Sequence, residues 1–386
     1  MIARTAYPTL LRLAKGFPVV AITGPRQSGK TTLARAAFPD KPYISLEDPD
    51  IRTIAENDPR QLLSSYKDGA ILDEVQRAPH LFSYLQTHVD LNPVPGMFVL
   101  TGSQQFGLLS GISQSLAGRV GLVQLLPFTI DELSAAGKLP DLDLLMMQGF
   151  YPPLYDREIA YGDWFAGYST TYVERDVRQL VNVRDLSVFQ RFIRMCAART
   201  GQLLNLSSLA ADCGITHNTA AAWISVLEAS YIIHLLRPHY RNFNKRLVKM
   251  PKLYFCDVGL AAWLVGIRKP EEMAFSAMRG NLFETLVVSD LLKRCFNAGT
   301  PSNLHFWRDS KGLEVDLLIE RGDRLTPVEI KSGMTFADDF TDSLKKWNAL
   351  SGVGDRPSWL VYGGSTELVM GETRILPWSR LSTVDL

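Results

Sequence analysis

Gly24-Pro25-Arg26-Gln27-Ser28-Gly29-Lys30-Thr31 fits G-x-x-x-x-G-K-[ST] at every fixed position. Residues in that spacing do phosphate chemistry. The glycines let the backbone curl until its N–H groups point inward at a helix N-terminus. Lys30 would neutralise the outer phosphates of a nucleotide, and Thr31 would offer its hydroxyl to Mg²⁺, with Thr32 completing the nucleotide-binding stretch. A second set closes the run Ala70-Ile71-Leu72-Asp73-Glu74. Asp73 would hold the Mg²⁺ through water, and Glu74 would orient and polarise the attacking water. A third set lies in the C-terminal third, where Asp316 interrupts an apolar run and Glu329-Ile330-Lys331 places an acid and a base two residues apart. Two carboxylates can hold Mg²⁺ with waters, and a neighbouring lysine can position or deprotonate the attacking water. The same pattern also describes a hairpin with cross-strand ion pairs.

These residues need elements to hold them. Phe17 to Thr23 reads as a buried strand feeding the glycine loop, and Thr32 to Phe38 as the helix leaving it. Residues 1–16 read as a short amphipathic helix. Pro42 to Leu46 makes a second strand, Ile51 to about Tyr66 a helical stretch, and Met97 to Ser103 another buried strand ending in small polar residues. If that strand lies beside the first, Thr101 or Ser103 comes near the γ-phosphate. Val120 to Leu126 supplies a last strand. Strands interleaved with helices predict an α/β sheet with its ligands at the strand C-terminal ends, where all these motifs fall. No guanine-reading motif such as Asn-Lys-x-Asp occurs, which favours ATP over GTP.

In the C-terminal part, Asn281 to Phe296 reads as a helix with Glu284 among Val287, Val288, Leu291 and Cys295, on the apolar side. A carboxylate there needs a partner or a metal. Strands at 304–308, 312–320 and 325–330 follow. The second and third should pair across the turn at Arg321-Gly322-Asp323, bringing Asp316 near Glu329.

Between these halves, Leu206 to Ala229 reads as helix, turn, helix. Gly214 stops the first helix and Thr216 caps the second, and the strand Tyr231 to Leu236 gives a winged-helix outline. The second helix offers only His217, Asn218 and Ser225 as polar probes, a poor set for reading bases. Arg237, Arg241, Lys245, Arg246, Lys249 and Lys252 then follow without an intervening acid and with Tyr240 and Phe243 among them. Such a strip can grip DNA phosphates and stack bases, or it can be a solvated loop or face an acidic surface of the same protein.

The motifs carry resemblances. The glycine loop, Asp73-Glu74 and the strand ending at Ser103 resemble the AAA-class P-loop ATPases. By that resemblance Ser103 stands at the sensor position, where Asn is common, and Leu116-Ala117-Gly118-Arg119 falls where the class carries an arginine finger. Arg119 would act in cis or on a neighbour's nucleotide in a homo-oligomer, though an arginine in a surface ion pair fits the same place. Gly149-Phe150-Tyr151-Pro152-Pro153 looks like the hinge into the class's helical lid, through Trp164 to Tyr168 and Tyr172 to Val177. Asp316, Glu329-Ile330-Lys331 and Glu284 resemble the PD-(D/E)xK nuclease superfamily, which implies that Asp316 and Glu329 are metal ligands, Lys331 catalytic and Glu284 an accessory acid. The order of motifs resembles a broad bacterial and archaeal family of AAA-class ATP-binding proteins whose C-terminal half is related to restriction endonucleases. The implied domains are an ATPase domain at 1–148, a lid at 149–200, a winged-helix-like segment at 201–249 and a nuclease-like α/β domain at 250–386.

The composition bounds these readings. With 386 residues, 46% of them hydrophobic, the chain has room for two or three cores. Its net charge of +1 does not mark the whole protein as a nucleic-acid binder. Cys196, Cys213, Cys256 and Cys295 lie far apart without a C-x-x-C, which argues against a zinc site or a disulfide scaffold. The longest uncharged run is broken by polar residues, Gly and Pro, and no signal segment stands out, so a soluble cytoplasmic protein without a membrane span is expected.

Overall fold

The computed structural model describes residues 1–103, 115–171, 185–241, 243, 246–352 and 357–386. The chain forms two compact units. The first is Met1–Phe128 with Ala229–Tyr231 and Phe296–Pro301; the second is Thr129–Glu228, Ile232–Cys295 and Ser302–Leu386.

In the first unit α1 (Tyr7–Gly16) precedes β1 (Val19–Thr23), and α2 (Lys30–Ala37) leaves the glycine loop. There follow β2 (Tyr43–Ser45), α3 (Pro49–Asn57), α4 (Pro59–Ser64), β3 (Ala70–Asp73), α5 (Leu81–Leu91), β4 (Phe98–Gly102) and β5 (Val120–Gln124). The helical stretch expected from Ile51 to Tyr66 is two helices. Asp58 closes α3 and caps α4 by accepting from the Gln61 N–H, and Pro59 cannot continue a helix it can only begin.

The strands form one parallel sheet in the order β2-β3-β4-β1-β5. Alternation along β1 sends Val20 and Ile22 to a core under α1 and α2, with Leu10, Leu33 and Ala34. Val19 and Ala21 face a second core made by α3, α4 and α5, with Ala55, Leu62, Phe82 and Leu85. A sheet buried on both faces leaves only its strand ends open, and the glycine loop and Asp73 sit at the C-terminal ends.

The second unit holds two further sheets. β6 (Gln202–Leu203), β7 (Ile233–Leu236) and β8 (Lys252–Phe255) make a small antiparallel sheet in the order β6-β8-β7, accompanied by helices Leu186–Ala197, Leu206–Cys213 and His217–Ala229. Gly214 takes the left-handed conformation that ends the first helix of the pair, and Thr216 Oγ1 accepts from the Thr219 N–H to start the next. β8 was expected to open the C-terminal domain at 250; it is instead the central strand of this sheet.

The larger sheet has the order β13-β14-β12-β11-β10-β9, from β9 (Leu304–Arg308), β10 (Glu314–Arg321), β11 (Arg324–Lys331), β12 (Ser358–Tyr362), β13 (Leu368–Met370) and β14 (Thr373–Pro377). β10 and β11 form the expected hairpin, with Leu317 opposite Val328. The helix Arg279–Ala298 buries Leu282, Phe283, Leu286, Val287 and Leu291 completely. In the segment expected to form a lid, the aromatic residues are core rather than a binding box: Tyr151, Trp164, Phe165 and Tyr168 are buried against one another. Its Tyr172–Val177 stretch lies outside the described residues. The four cysteines are reduced and buried.

Candidate functional site

The glycine loop is held in shape from both sides. Gly24 has φ +152°, and a Cβ there would lie 2.0 Å from Leu125 O, so any side chain would collide with the backbone at the end of β5. Gly29 adopts φ +92° as the cap of α2, and Gln27 takes a left-handed φ of +61° between them. Arg4, which sequence reasoning passed over, staples the loop to β5: its guanidinium donates to Ser28 O at 2.7 Å and to Leu126 O at 2.7 Å. Pro25 and Arg26 complete the turn, and Thr32 follows on α2.

Lys30 is 6% exposed and curls over the loop, donating to Gly24 O at 3.0 Å and Pro25 O at 2.8 Å. Burial pulls its pKa down to about 8, against the opposing pull of Glu74 and Asp73. A desolvated cation satisfied only by carbonyls gains strongly from an anion.

Because β4 lies between β1 and β3, three strand ends converge. The buried Asp73 carboxylate accepts from the Thr31 hydroxyl at 3.1 and 3.2 Å, from Tyr43 OH at 2.6 Å and from the Thr101 hydroxyl. Tyr43 is a second residue missed in the sequence. It opens the edge strand β2, whose pairing with β3 aligns Ser45 with Asp73 and Tyr43 with Ile71. Burial and the Asp73 carboxylate push its phenol up to about 12. Thr31 Oγ1 and the Asp73 carboxylate form an adjacent pair of hard oxygens, the donor set Mg²⁺ prefers.

Glu74 follows β3 with a left-handed φ of +54°, a conformation unusual outside glycine. Its carboxylate accepts from Ser103 Oγ at 3.1 Å and from the Gln76 amide. Ser103 at the end of β4 therefore contacts Glu74, while Thr101 contacts Asp73. Beneath the loop, Tyr231 takes a φ of +57° and its phenol bonds Thr23 Oγ1 at 2.8 Å and Gln124 Nε2 at 3.1 Å. Thr23 is the residue immediately before the glycine loop, so this phenol fixes where the loop begins.

Arg119 is elsewhere. It precedes β5, level with the start of β1, which at about 3.3 Å per residue places it roughly 20 Å from Gly24. Its guanidinium pairs with Asp90 at 2.5 Å. The expectation that it could reach the phosphates of its own chain is corrected by the parallel sheet, which puts every residue preceding a strand at the end away from the loop.

The second unit gathers the C-terminal residues. β10 carries a bulge between Val315 and Leu318 in its pairing with β9, and Asp316 sits in it, its carboxylate accepting from the Ile330 N–H at 2.9 Å. Glu329 is 4% exposed, with Oε1 bonded to Lys331 Nζ at 2.5 Å and Oε2 buried without a partner. Glu284 accepts from Tyr254 OH at 2.5 Å and from Lys252 Nζ at 2.8 Å. Lys252, expected in a phosphate-gripping strip, is instead 3% exposed and also pairs with Glu314. The alternation of Lys252-Leu253-Tyr254-Phe255 carries that signal, since it puts Lys252 and Tyr254 on one face of β8. Burial first, and the Asp316 charge with it, push both Glu284 and Glu329 up to about 7. Burial works to lower Lys331, but Asp316 and Glu329 outweigh it and hold the ammonium charged. Among the described residues, no group of three or more His, Cys, Asp or Glu side chains is arranged to hold a metal ion.

Comparison with known proteins follows the same division. Residues 16–134 match the family model of an AAA domain, while residues 139–271 and 279–381 match two domains of unknown function, DUF8612 and DUF4143. The uncharacterized protein Rv2008c of Mycobacterium tuberculosis is 33% identical over 337 residues, covering 86% of this chain and 74% of the relative. The uncharacterized protein Mb2031c of Mycobacterium bovis matches to the same extent. The chain belongs to the family of Rv2008c. Among solved structures, the Walker-type ATPase PABY2304 of Pyrococcus abyssi is similar over 68% of this chain and 96% of its own, at 15% identity and a TM-score of 0.46. In this member of the Rv2008c family, residues 16–134 are an AAA-class P-loop domain. No helix among its described residues is long and apolar enough to cross a membrane.

Proposed function

We propose that this chain is an Mg²⁺-dependent ATPase whose nucleotide state controls a DNA-acting, nuclease-like C-terminal domain. The observation that carries the reading is the pairing of two phosphate-chemistry sites in one chain. One is the glycine loop with the Asp73 hydroxyl cluster. The other is the group of the buried Glu329 with the partly buried Glu284, Asp316 and Lys331. At the first, Thr31 and Asp73 would hold Mg²⁺, which when bound supplies charge neutralisation for the transferring phosphoryl group. Lys30 binds the outer phosphates, and Glu74, steered by Ser103 and Gln76, orients the attacking water. Arg119 serves the nucleotide of a neighbouring copy, because it cannot reach its own.

At the second site, Asp316 and Glu329 would hold a metal ion, with Glu284 accessory. The orphaned, buried Glu329 Oε2 supports this, since an unpaired carboxylate oxygen in the core is costly unless something binds it. The helix pair Leu206–Cys213 and His217–Ala229 with its small sheet is read as winged-helix-like, with backbone contact to DNA rather than base reading. Plasmid nicking with Mg²⁺ or Mn²⁺ by wild type and Lys331→Ala tests the proposal. Cleavage lost in the variant supports it, and no cleavage by folded wild type refutes the nuclease half.

A second reading has its own observation. Lys252 already neutralises Glu284 and Glu314, so the cluster can stand as an ion-paired core without metal. The chain would then be a nucleotide-gated switch or scaffold with an inactive nuclease-like domain, showing ATP turnover indifferent to DNA.

A further inference from the structure

The segment joining β7 to β8 is laced to the outer edge of β9. The Phe306 N–H donates to Arg237 O at 3.3 Å and the His239 N–H to Phe306 O at 2.7 Å. On the other arm the Val248 N–H donates to Arg308 O at 3.1 Å and the Ser310 N–H to Arg246 O at 2.8 Å. Trp307 Nε1 donates to Arg241 O at 2.9 Å, and Phe243 packs on Trp347 with ring centroids 5.0 Å apart. The backbone and the inward side chains do the anchoring. Arg237, Arg246 and Lys249 are exposed and available, while Arg241, also exposed, lies over the Phe243 ring at 5.3 Å; none of the four forms an ion pair with a described residue.

Among these cations stands Tyr240, 79% exposed. One face of its ring stacks on the buried His239 at a centroid distance of 4.6 Å and an angle of 25°, and the exposure leaves the other face open. Tyr240, Arg246 and Lys249 line an open cavity of about 890 Å³. A rigidly backed aromatic face beside cations that form no ion pair with a described residue is poorly matched to duplex DNA, whose bases are stacked and offered only by their edges. It matches an unstacked base flanked by phosphates.

We propose that this edge is a platform for single-stranded nucleic acid, with a base stacked on Tyr240 and the adjoining phosphates held by Arg246 and Lys249. The proposal rests on the DNA-acting reading above and specifies its substrate. It also gives the strand a direction. Lys252, which bonds Glu284 and Glu314 beside the acid cluster, lies three residues beyond Lys249, at most about 10 Å along the chain. A strand lying on the platform is thus within a few nucleotides of Glu284 and Asp316.

The test is fluorescence anisotropy of the full chain with labelled oligonucleotides of one sequence, as single-stranded DNA, single-stranded RNA and duplex DNA, in EDTA to prevent cleavage. Single strands should bind about tenfold or more tighter than the duplex, and whichever single strand binds tighter identifies the substrate. Tyr240→Ala should weaken single-strand binding about 5- to 100-fold, the range for one lost base stack, and leave duplex binding unchanged. Tyr240→Trp should retain it. The double variant Arg246→Ala/Lys249→Ala should flatten the slope of log affinity against log salt by about 1.4 for single strands. Equal binding of duplex and single strand, unaffected by Tyr240→Ala, overturns the platform and leaves the DNA-acting reading standing. No binding of any oligonucleotide at low salt overturns both.

Discussion

Lys30→Met keeps a long apolar stem and removes the charge, which separates two roles that Lys30→Ala would confound with a cavity. Lys30 is buried, and burial lowers its pKa from 10.5 to about 8, with Glu74 and Asp73 resisting only in part. Since the folded value lies below the unfolded one, the unfolded chain keeps a proton between about pH 8 and 10.5 that the folded chain has lost. Stability of the N-terminal unit therefore rises with pH through that window, and below pH 8 the folded state carries the whole penalty, about 3 kcal/mol. That penalty is already net of the bonds to Gly24 O and Pro25 O, which favour the charged form. Methionine removes that penalty, so the nucleotide-free unit should be at least as stable as wild type at pH 7, by up to about 3 kcal/mol, and should lack the rise between about pH 8 and 10.5 that the wild type shows. It should also cost about 2–5 kcal/mol of nucleotide affinity, at least roughly a 30-fold loss by calorimetry, because the phosphates lose their buried cation. The chain offers a clean readout: all seven tryptophans, Trp164 to Trp378, lie in the second unit. Tryptophan fluorescence thus follows that unit alone, while far-UV circular dichroism follows both. If the variant loses nucleotide binding because its circular-dichroism transition falls by several kcal/mol, the assignment of Lys30 as a phosphate cation is wrong.

Three further outcomes are expected. Tyr231→Phe deprives the fully buried Thr23 hydroxyl of its 2.8 Å partner and should destabilise the N-terminal unit by about 1–2 kcal/mol, with weaker nucleotide binding, measured by denaturant titration and calorimetry. In metal-free protein the second unit should lose stability as pH rises from about 4.5 to 7, because Glu284 and Glu329 have folded pKa values raised to about 7 and so hold protons in that window that the unfolded chain releases. Glu329→Gln should flatten that tryptophan-monitored dependence, and an unchanged curve would refute the burial argument. Arg119→Ala should leave nucleotide affinity unchanged and lower ATP turnover only under conditions where light scattering shows an oligomer; an equal loss in dilute monomer would contradict its placement at the far end of the sheet.

Much of the nucleotide site was legible because its signals are local. A glycine loop between a strand and a helix, and an apolar strand ending in two acids, each specify their own geometry within a few residues. The hairpin that brings Asp316 toward Glu329 was legible for the same reason: the turn fixes the register. What escaped were contacts set by long-range pairing. Nothing near Tyr43 says that the strand it opens will lie beside Asp73, and nothing near Tyr231 says that its phenol will meet Thr23. Arg119 and Lys252 are different: the cis alternative for Arg119 followed the family resemblance, and the exposed strip with Lys252 followed composition, where geometry was available. Arg119 precedes a strand of a parallel sheet and so lies at the end opposite the loop. Lys252 sits in a Lys-Leu-Tyr-Phe strand with burial on both faces, where a charge run ceases to mean a solvated face.

The two carboxylate clusters also differ in what neutralises them, and the difference bears on how each would work. Asp73 is satisfied by hydroxyls of Thr31, Tyr43 and Thr101, neutral donors, and forms no ion pair among the described residues. Glu284 and Glu329 are instead bonded to the ammonium groups of Lys252 and Lys331, so a metal ion arriving there adds positive charge to a group already supplied with it. What favours its entry is the third acid, Asp316, which raises both glutamates and is itself held by a backbone N–H rather than by a lysine. A metal would have to displace the protons that these raised pKa values retain. Metal-dependent cleavage should accordingly increase as pH rises through 7, whereas kcat/KM for ATP, which reports Lys30 in the free protein, should decline as pH passes about 8. Opposite pH slopes for the two activities would distinguish two working centres from one working centre and one ion-paired core.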